Sequence, residues 1–318
     1  MRLASRITAA LALACALGAH AQSYPSKPIR LIIASSPGGG TDGIGRVVGE
    51  ALAAKFKQPV VPENRGGASG VIGSEALVKS APDGYTLMIT QNGHTTNPAI
   101  FKKLPYDTFK DFTPIAPLAS SPLVLIATNG TSVKSVKQLL ELAKRDPQSM
   151  TFAAAESSTR LAIEQLAQTT GIEITALPYK GTGPAVADVA GGHVNFAVTT
   201  IASVLPFRSG GKLNIVAVMA PERTSFMPEV PTLAEQGLPR IDVRGWWGIF
   251  GPANMPPALV AELNSTIRAV LGSPAVQHKI ENFSAEVWLG SPQEFDAFIR
   301  REVPAIQALA KKAGIEPE

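Results

Sequence analysis

Ile29-Arg30-Leu31-Ile32-Ile33-Ala34-Ser35-Ser36-Pro37-Gly38-Gly39-Gly40-Thr41-Asp42-Gly43 runs from an apolar segment into a glycine turn. Five mostly apolar residues bounded by a Ser-Pro-Gly cluster read as a buried strand. Beyond the turn, Ile44, Val47, Val48, Ala51, Leu52 and Phe56 recur at helical spacing, which predicts a helix from about Thr41 to Lys57. The alternation continues outward. Val60-Val61, Thr86 to Thr90, Leu123 to Thr128, Met150 to Ala154, Glu173 to Leu177, Val194 to Val198 and Leu213 to Met219 predict strands. Between them, Ser74 to Ser80, Val136 to Ala143, Ser158 to Thr170 and Ala185 to Ala190 predict helices. Strand-helix alternation of this kind predicts an α/β fold of parallel sheets sandwiched by helices.

From Val243 the pattern changes. An extended stretch to Phe250 contains Trp246 and Trp247, and helices follow over Pro256 to Leu271, Pro274 to Asn282 and Pro292 to Ala313. Pro304 is expected to kink or divide the last of these. Three helices with little strand cannot build another α/β domain, so they are expected to return onto the first lobe. That reading makes 22–124 and 246–318 one discontinuous lobe, inserts 125–245 as a second, and leaves two chain crossings as a hinge.

Composition agrees with a two-lobed globular chain. Its 318 residues are too many for one small core, and 45% hydrophobic against 17% charged content excludes a disordered chain. The net charge of +4 is small, and no Lys/Arg run forms a nucleic-acid stripe. Residues 1–21 read as a secretory signal: Arg2 and Arg6 precede an apolar run from Ile7 to Leu17, and Ala19-His20-Ala21 suits cleavage. That run is short for a membrane span, which needs ~20 residues. A lipoprotein site at Cys15 is disfavoured by Ala12 where leucine is expected. Removal of the leader takes the single cysteine with it and leaves 27 basic against 25 acidic residues. The exported chain is expected to be a soluble periplasmic monomer whose core holds without disulfides.

Two chemical readings compete for the glycine turn. Gly38-Gly39-Gly40-Thr41-Asp42-Gly43 satisfies G-x-G-x-x-G, and Glu63 lies twenty residues beyond Gly43, where a dinucleotide fold places its ribose-binding acid. An exported oxidoreductase is therefore the enzyme alternative. Pro37 at the entry, the long glycine loop Asn64-Arg65-Gly66-Gly67-Ala68-Ser69-Gly70, and the scarcity of nicotinamide cofactors outside the cytoplasm oppose it. The more general reading is a helix start that turns unpaired N–H groups towards an anion.

No catalytic constellation appears. His94, His193 and His278 lack partners at metal-ligand spacing, and there is no G-x-S-x-G elbow. No metal, cofactor or enzymatic activity is expected. Asn92 and His94, in the loop after the Thr86 strand, either reach a cleft or belong to an ordinary surface loop. Other strand ends supply Ala155-Glu156-Ser157-Ser158-Thr159-Arg160, then Lys180 before Gly181, then Thr199-Thr200. Ligands in open α/β sheets bind beyond such ends. The candidate contacts are Gly39, Gly40, Thr41 and Asp42 from one lobe, with Ser157, Ser158, Thr159 and Thr200 facing them.

These blocks resemble the substrate-binding receptors of tripartite tricarboxylate transporters, the Bug-type proteins. The resemblance rests on Pro37 to Asp42, Glu63-Asn64-Arg65, Pro82-Asp83-Gly84-Tyr85-Thr86-Leu87, Leu104-Pro105-Tyr106-Asp107, Asp111-Phe112-Thr113-Pro114-Ile115, Pro178-Tyr179-Lys180-Gly181, Val230-Pro231-Thr232 and Trp247-Gly248. It implies a type II periplasmic-binding fold whose lobes close on a small carboxylate, held by backbone amides, hydroxyls and waters. It also implies delivery to a separate membrane permease, while a receptor feeding a sensor protein is the remaining alternative. Two departures stand out. Ser35 stands where the family has an aromatic residue, and Glu156 and Arg160 replace a glycine and a histidine. Either Glu156 accepts from a donor on the ligand, or Glu156 and Arg160 pair at the rim and ignore it. Ligand preference of Glu156→Gly separates the two.

Overall fold

The structure, a computed structural model, describes residues 24–155, 157–208, 210–220, 222–239, 244–312 and 314–317, and within these it leaves a few helix side chains undescribed. The leader expected over 1–21 lies outside the described residues. Among the described residues ten strands occur in chain order: β1 Ile29–Ile33, β2 Val60–Asn64, β3 Thr86–Gln91, β4 Phe112–Thr128, β5 Thr151–Ala154, β6 Thr175–Pro178, β7 Phe196–Thr200, β8 Leu213–Val218, β9 Arg244–Pro252 and β10 Glu286–Val287. The α-helices are α1 Gly40–Phe56, α2 Val71–Val78, α3 Gly93–Ile100, α4 Val136–Arg145, α5 Ser157–Thr170, α6 Thr182–Gly191, α7 Ile201–Arg208, α8 Pro257–Leu271, α9 Pro274–Glu281 and α10 Pro292–Lys312.

The sheets are mixed rather than wholly parallel. β1 pairs in parallel with β2 and β3, and β5 pairs in parallel with β6 and β7, as helical crossovers require. β4 and β9, which link the two halves, run antiparallel to their neighbours. β4 is shared between the halves. Its residues up to Pro122 pair with β9, and Leu123 onward pairs with β7 and β8. Each half has its own core, one around Leu31, Ile89, Trp247 and Ile267, the other around Leu125, Phe152, Phe196 and Val216.

β4 is longer than its sequence suggests because Pro114, Pro117 and Pro122 punctuate it. Its register against β9 shifts between Pro114 and Ala116 and again between Pro117 and Ala119. Bulges are where a ladder tolerates a residue without an N–H. α10 begins with a capping box, in which Glu294 accepts from the Ser291 N–H and Ser291 Oγ accepts from the Glu294 N–H. It continues through Pro304 to Lys312 as one helix. The terminal helices pack on elements from the first part of the chain. α8 packs on α1, and α10 packs on α3 and β4. Asn264 on α8 donates to the carbonyls of Ile115 and Gly290, at 2.8 and 3.0 Å, which ties this layer to β4.

Candidate functional site

The carboxyl ends of β1, β3, β5, β6 and β7 each feed a helix start, at α1, α3, α5, α6 and α7 respectively. The first four N–H groups of a helix have no intrahelical acceptor, so these ends supply donors and a partial positive charge. The halves touch beside these ends. Leu161, one residue past Arg160, packs with Ala99 and Ile100 of α3 and with Ala310 of α10.

The α1 start is held rigidly. Asp42 is 7% exposed, and its carboxylate accepts from the Gly38 N–H at 3.0 Å and from Arg46 Nε and Asn64 Nδ2 at 2.9 Å each. Burial alone would raise the pKa of this group, but the Gly38 N–H, Asn64 and Arg46 outweigh it and hold the carboxyl below its ordinary range. Its charge is thus absorbed by the loop itself, and Asp42 acts as a brace. Thr41 accepts from the Trp247 indole N–H at 3.0 Å and donates to Gln91 Oε1. Gly39 and Gly40 lie partly exposed at the mouth. A Cβ on Gly40 would sit 3.2 Å from the Trp247 ring, so the backbone passes close over the indole. Ser35 is half-buried in the same turn, where its carbonyl accepts from Asn64 Nδ2 at 3.3 Å.

The G-x-G-x-x-G pattern has a packing cause. A Cβ on Gly43 would fall 2.2 Å from the Phe283 ring, so this glycine admits Phe283. Glu63 is occupied by Arg30 and Arg65, at 2.5 and 2.6 Å, which hold its pKa down at about 2.

Asn92 and His94 do not lie in a loop. They belong to the start of α3, whose Pro98 disguises the helix in sequence. Asn92 donates to the Arg244 carbonyl and accepts from the Trp246 N–H at 2.8 Å, which pins β9 to the end of β3. His94 is sealed at 1% exposure between Phe112 and Phe250, ring centroids 4.7 and 4.5 Å away. Burial pulls its pKa down to about 3, and neither ring nitrogen has a partner among the described residues. His94 is a core residue, which corrects the cleft-loop reading.

In the second half, Glu156 lies outside the described residues. Ser157 and Ser158 head α5, with side chains also outside them. Thr159 is buried, and Arg160 beside it is partly exposed. Lys180 is exposed past β6, while its neighbour Tyr179 donates to Asp188 at 2.6 Å. Thr199 is 1% exposed, its hydroxyl without a partner among the described residues, and Thr200 hydrogen-bonds Ser203 at 2.9 Å.

Sequence reasoning missed two supports. One is the Trp247-Thr41-Gln91 chain. The other is the turn Gly67-Ala68-Ser69-Gly70, in which four successive residues have positive φ, at 120°, 46°, 52° and 89°. Ala68 and Ser69 each carry strain of roughly 1–3 kcal/mol there. Contacts fix the turn, since a Cβ on Gly66 would lie 2.5 Å from the Ser36 nitrogen and Asn97 donates to the Ser69 carbonyl. The glycine spacing was the available signal.

A model of the tripartite tricarboxylate transporter family receptor, TctC, matches residues 44–315. The chain belongs to that family. TctC proteins are periplasmic substrate-binding receptors and not enzymes. Protein BugT of Bordetella pertussis is 33% identical over 298 residues, covering 92% of this chain and 91% of BugT. A Rhodopseudomonas palustris protein solved with adipate superposes with a TM-score of 0.89 at 32% identity, covering 93% of this chain and all of that one. MatC of the same species, solved with malate, gives 0.84 at 28% identity, with 90% and 99% covered. Among the described residues of this TctC receptor no helix is long and apolar enough to cross a membrane, and no cluster of three metal-ligating side chains occurs.

Proposed function

We propose that this receptor binds a small dicarboxylate between its halves and delivers it to a membrane permease. The observation that carries this is the α1 start, where the N–H groups after Gly39 are presented by a turn whose own acid, Asp42, is neutralised internally. An anion gains ~0.3–1 kcal/mol at one such terminus and up to ~2 when partly enclosed. Several termini and a buried hydroxyl acting together bring a micromolar complex within reach. In this reading Gly39, Gly40 and Thr41 hold one carboxylate. Thr199, Thr200 and the α5 start, from Ser157 to Arg160, hold the other end. The 125–245 insertion closes on the 22–124 and 246–318 lobe about β4 and the entry to β9. Adipate in one relative and malate in the other support the ligand class.

A thermal-shift screen of C4–C8 dicarboxylates, monocarboxylates and nicotinamide cofactors, followed by calorimetry, tests this. A dicarboxylate at 100 times its Kd is expected to stabilise the protein by about 2.7 kcal/mol. Stabilisation by cofactors with none from any acid would contradict the proposal.

A further inference from the structure

A cavity of about 500 Å3 lies between β9, β10 and α10. Ser120 and Arg244 on its wall sit beside the point where β4 and β9 leave this half of the molecule. Its other walls are aromatic. Trp288 meets Phe298 edge to face at 4.9 Å and 89°, and Trp246 meets the same ring at 5.8 Å and 88°. Leu289, 47% exposed, extends this apolar surface to the mouth.

One acid lies inside. Glu302 projects from α10 and accepts from the Trp246 indole N–H at 3.0 Å, with the Thr95 hydroxyl alongside. The residue keeps some solvent contact, yet its carboxyl is largely enclosed, and this burial raises its pKa to about 7. The cation acting on it is its chain neighbour Arg301, whose guanidinium instead leans over Phe298 at 5.9 Å. Arg244 and Glu286 are exposed on the rim. The interior therefore holds a largely enclosed acid whose acting cation, Arg301, leans away over Phe298, with Trp246, Trp288 and Phe298 lining the same space. A cation seated over the face of one such ring gains roughly 0.5–2 kcal/mol. A carboxylate kept from water gains most from a ligand that brings a positive charge.

We propose that this cavity is a second binding site, separate from the interlobe cleft, that takes an organic ammonium ion bearing an apolar or aromatic body. The ammonium group meets Glu302, and the body lies among Trp246, Trp288 and Phe298. Placed against both crossing strands, an occupant contacts the part of the molecule about which the lobes would move.

Calorimetry with phenethylamine, 2-phenylethanol and 3-phenylpropionate as probes tests the site in the full exported chain. Phenethylamine is expected to bind saturably with a change in tryptophan fluorescence, at least tenfold more tightly than the isosteric alcohol. The acid is expected not to bind there. Glu302→Gln is expected to weaken phenethylamine at least tenfold with the far-ultraviolet circular dichroism unchanged, and Trp288→Leu, which leaves Glu302 in place, at least threefold. Equal affinity for amine and alcohol, or undiminished amine binding by Glu302→Gln, would overturn the proposal. If neither variant folds, failure of the wild-type protein to prefer the amine still decides against it. A dicarboxylate response that survives Glu302→Gln keeps this outcome distinct from that of the interlobe site.

Discussion

Trp247→Ala is expected to lower the unfolding free energy by about 3–5 kcal/mol, the usual loss when a buried aromatic side chain is truncated to alanine. The indole is 1% exposed in the core of the first half, and the cavity left behind would lie directly under the α1 start. Trp247→Phe separates its two roles. Most of the packing remains, so stability should fall by only about 1 kcal/mol for the lost N–H donor. Thr41 would lose the donor that fixes its hydroxyl towards Gln91, and dicarboxylate affinity should drop further than stability alone explains. Chemical denaturation and calorimetry on the same three proteins measure both. Full affinity in a destabilised Trp247→Phe would remove Trp247 from the account of the site.

The second large effect concerns Asp42. Asp42→Ala strands the Gly38 N–H, Asn64 and Arg46 at once, and is expected to cost about 2–3 kcal/mol of stability and at least tenfold in dicarboxylate affinity. Asn64→Ala should reproduce much of the affinity loss, because the brace acts through both residues. The double variant should then fall short of the sum by 0.5–3 kcal/mol, the range for residues in one network. Direct contact between Asp42 and ligand predicts the opposite pattern, with Asn64→Ala binding normally and the two losses additive.

What could be read from the sequence follows from where its signals are local. β1, α1, β3 and the helices after Pro256 announce themselves by periodicity, and their observed bounds differ from the expected ones by a residue or two. Apart from the two-residue β10, the elements that were missed carry proline. Pro98 inside α3 disguised a helix, and Pro114, Pro117 and Pro122 disguised the first two thirds of β4, because both tolerate proline only through tertiary support or bulges. The antiparallel insertion of β9 between β3 and β4 is a long-range pairing that no window of sequence contains.

The site divides the same way. Glycines and hydroxyls at strand ends pointed to helix starts, and the structure has helices there. The roles of individual side chains depended on distant partners. Asn92 turned out to grip β9, 152 residues away, and His94 was taken into the core by Phe112 and Phe250. Glu63 twenty residues past Gly43 matched a dinucleotide spacing, but Arg30 on the adjacent strand had already claimed it.

The most direct measurement is a crystal structure of the exported chain with the dicarboxylate that the screen ranks first. One carboxylate is predicted against the backbone N–H groups that follow Gly39, with its far end reaching Thr199, Thr200 or the start of α5. A ligand bound elsewhere, with that turn empty, would contradict the account.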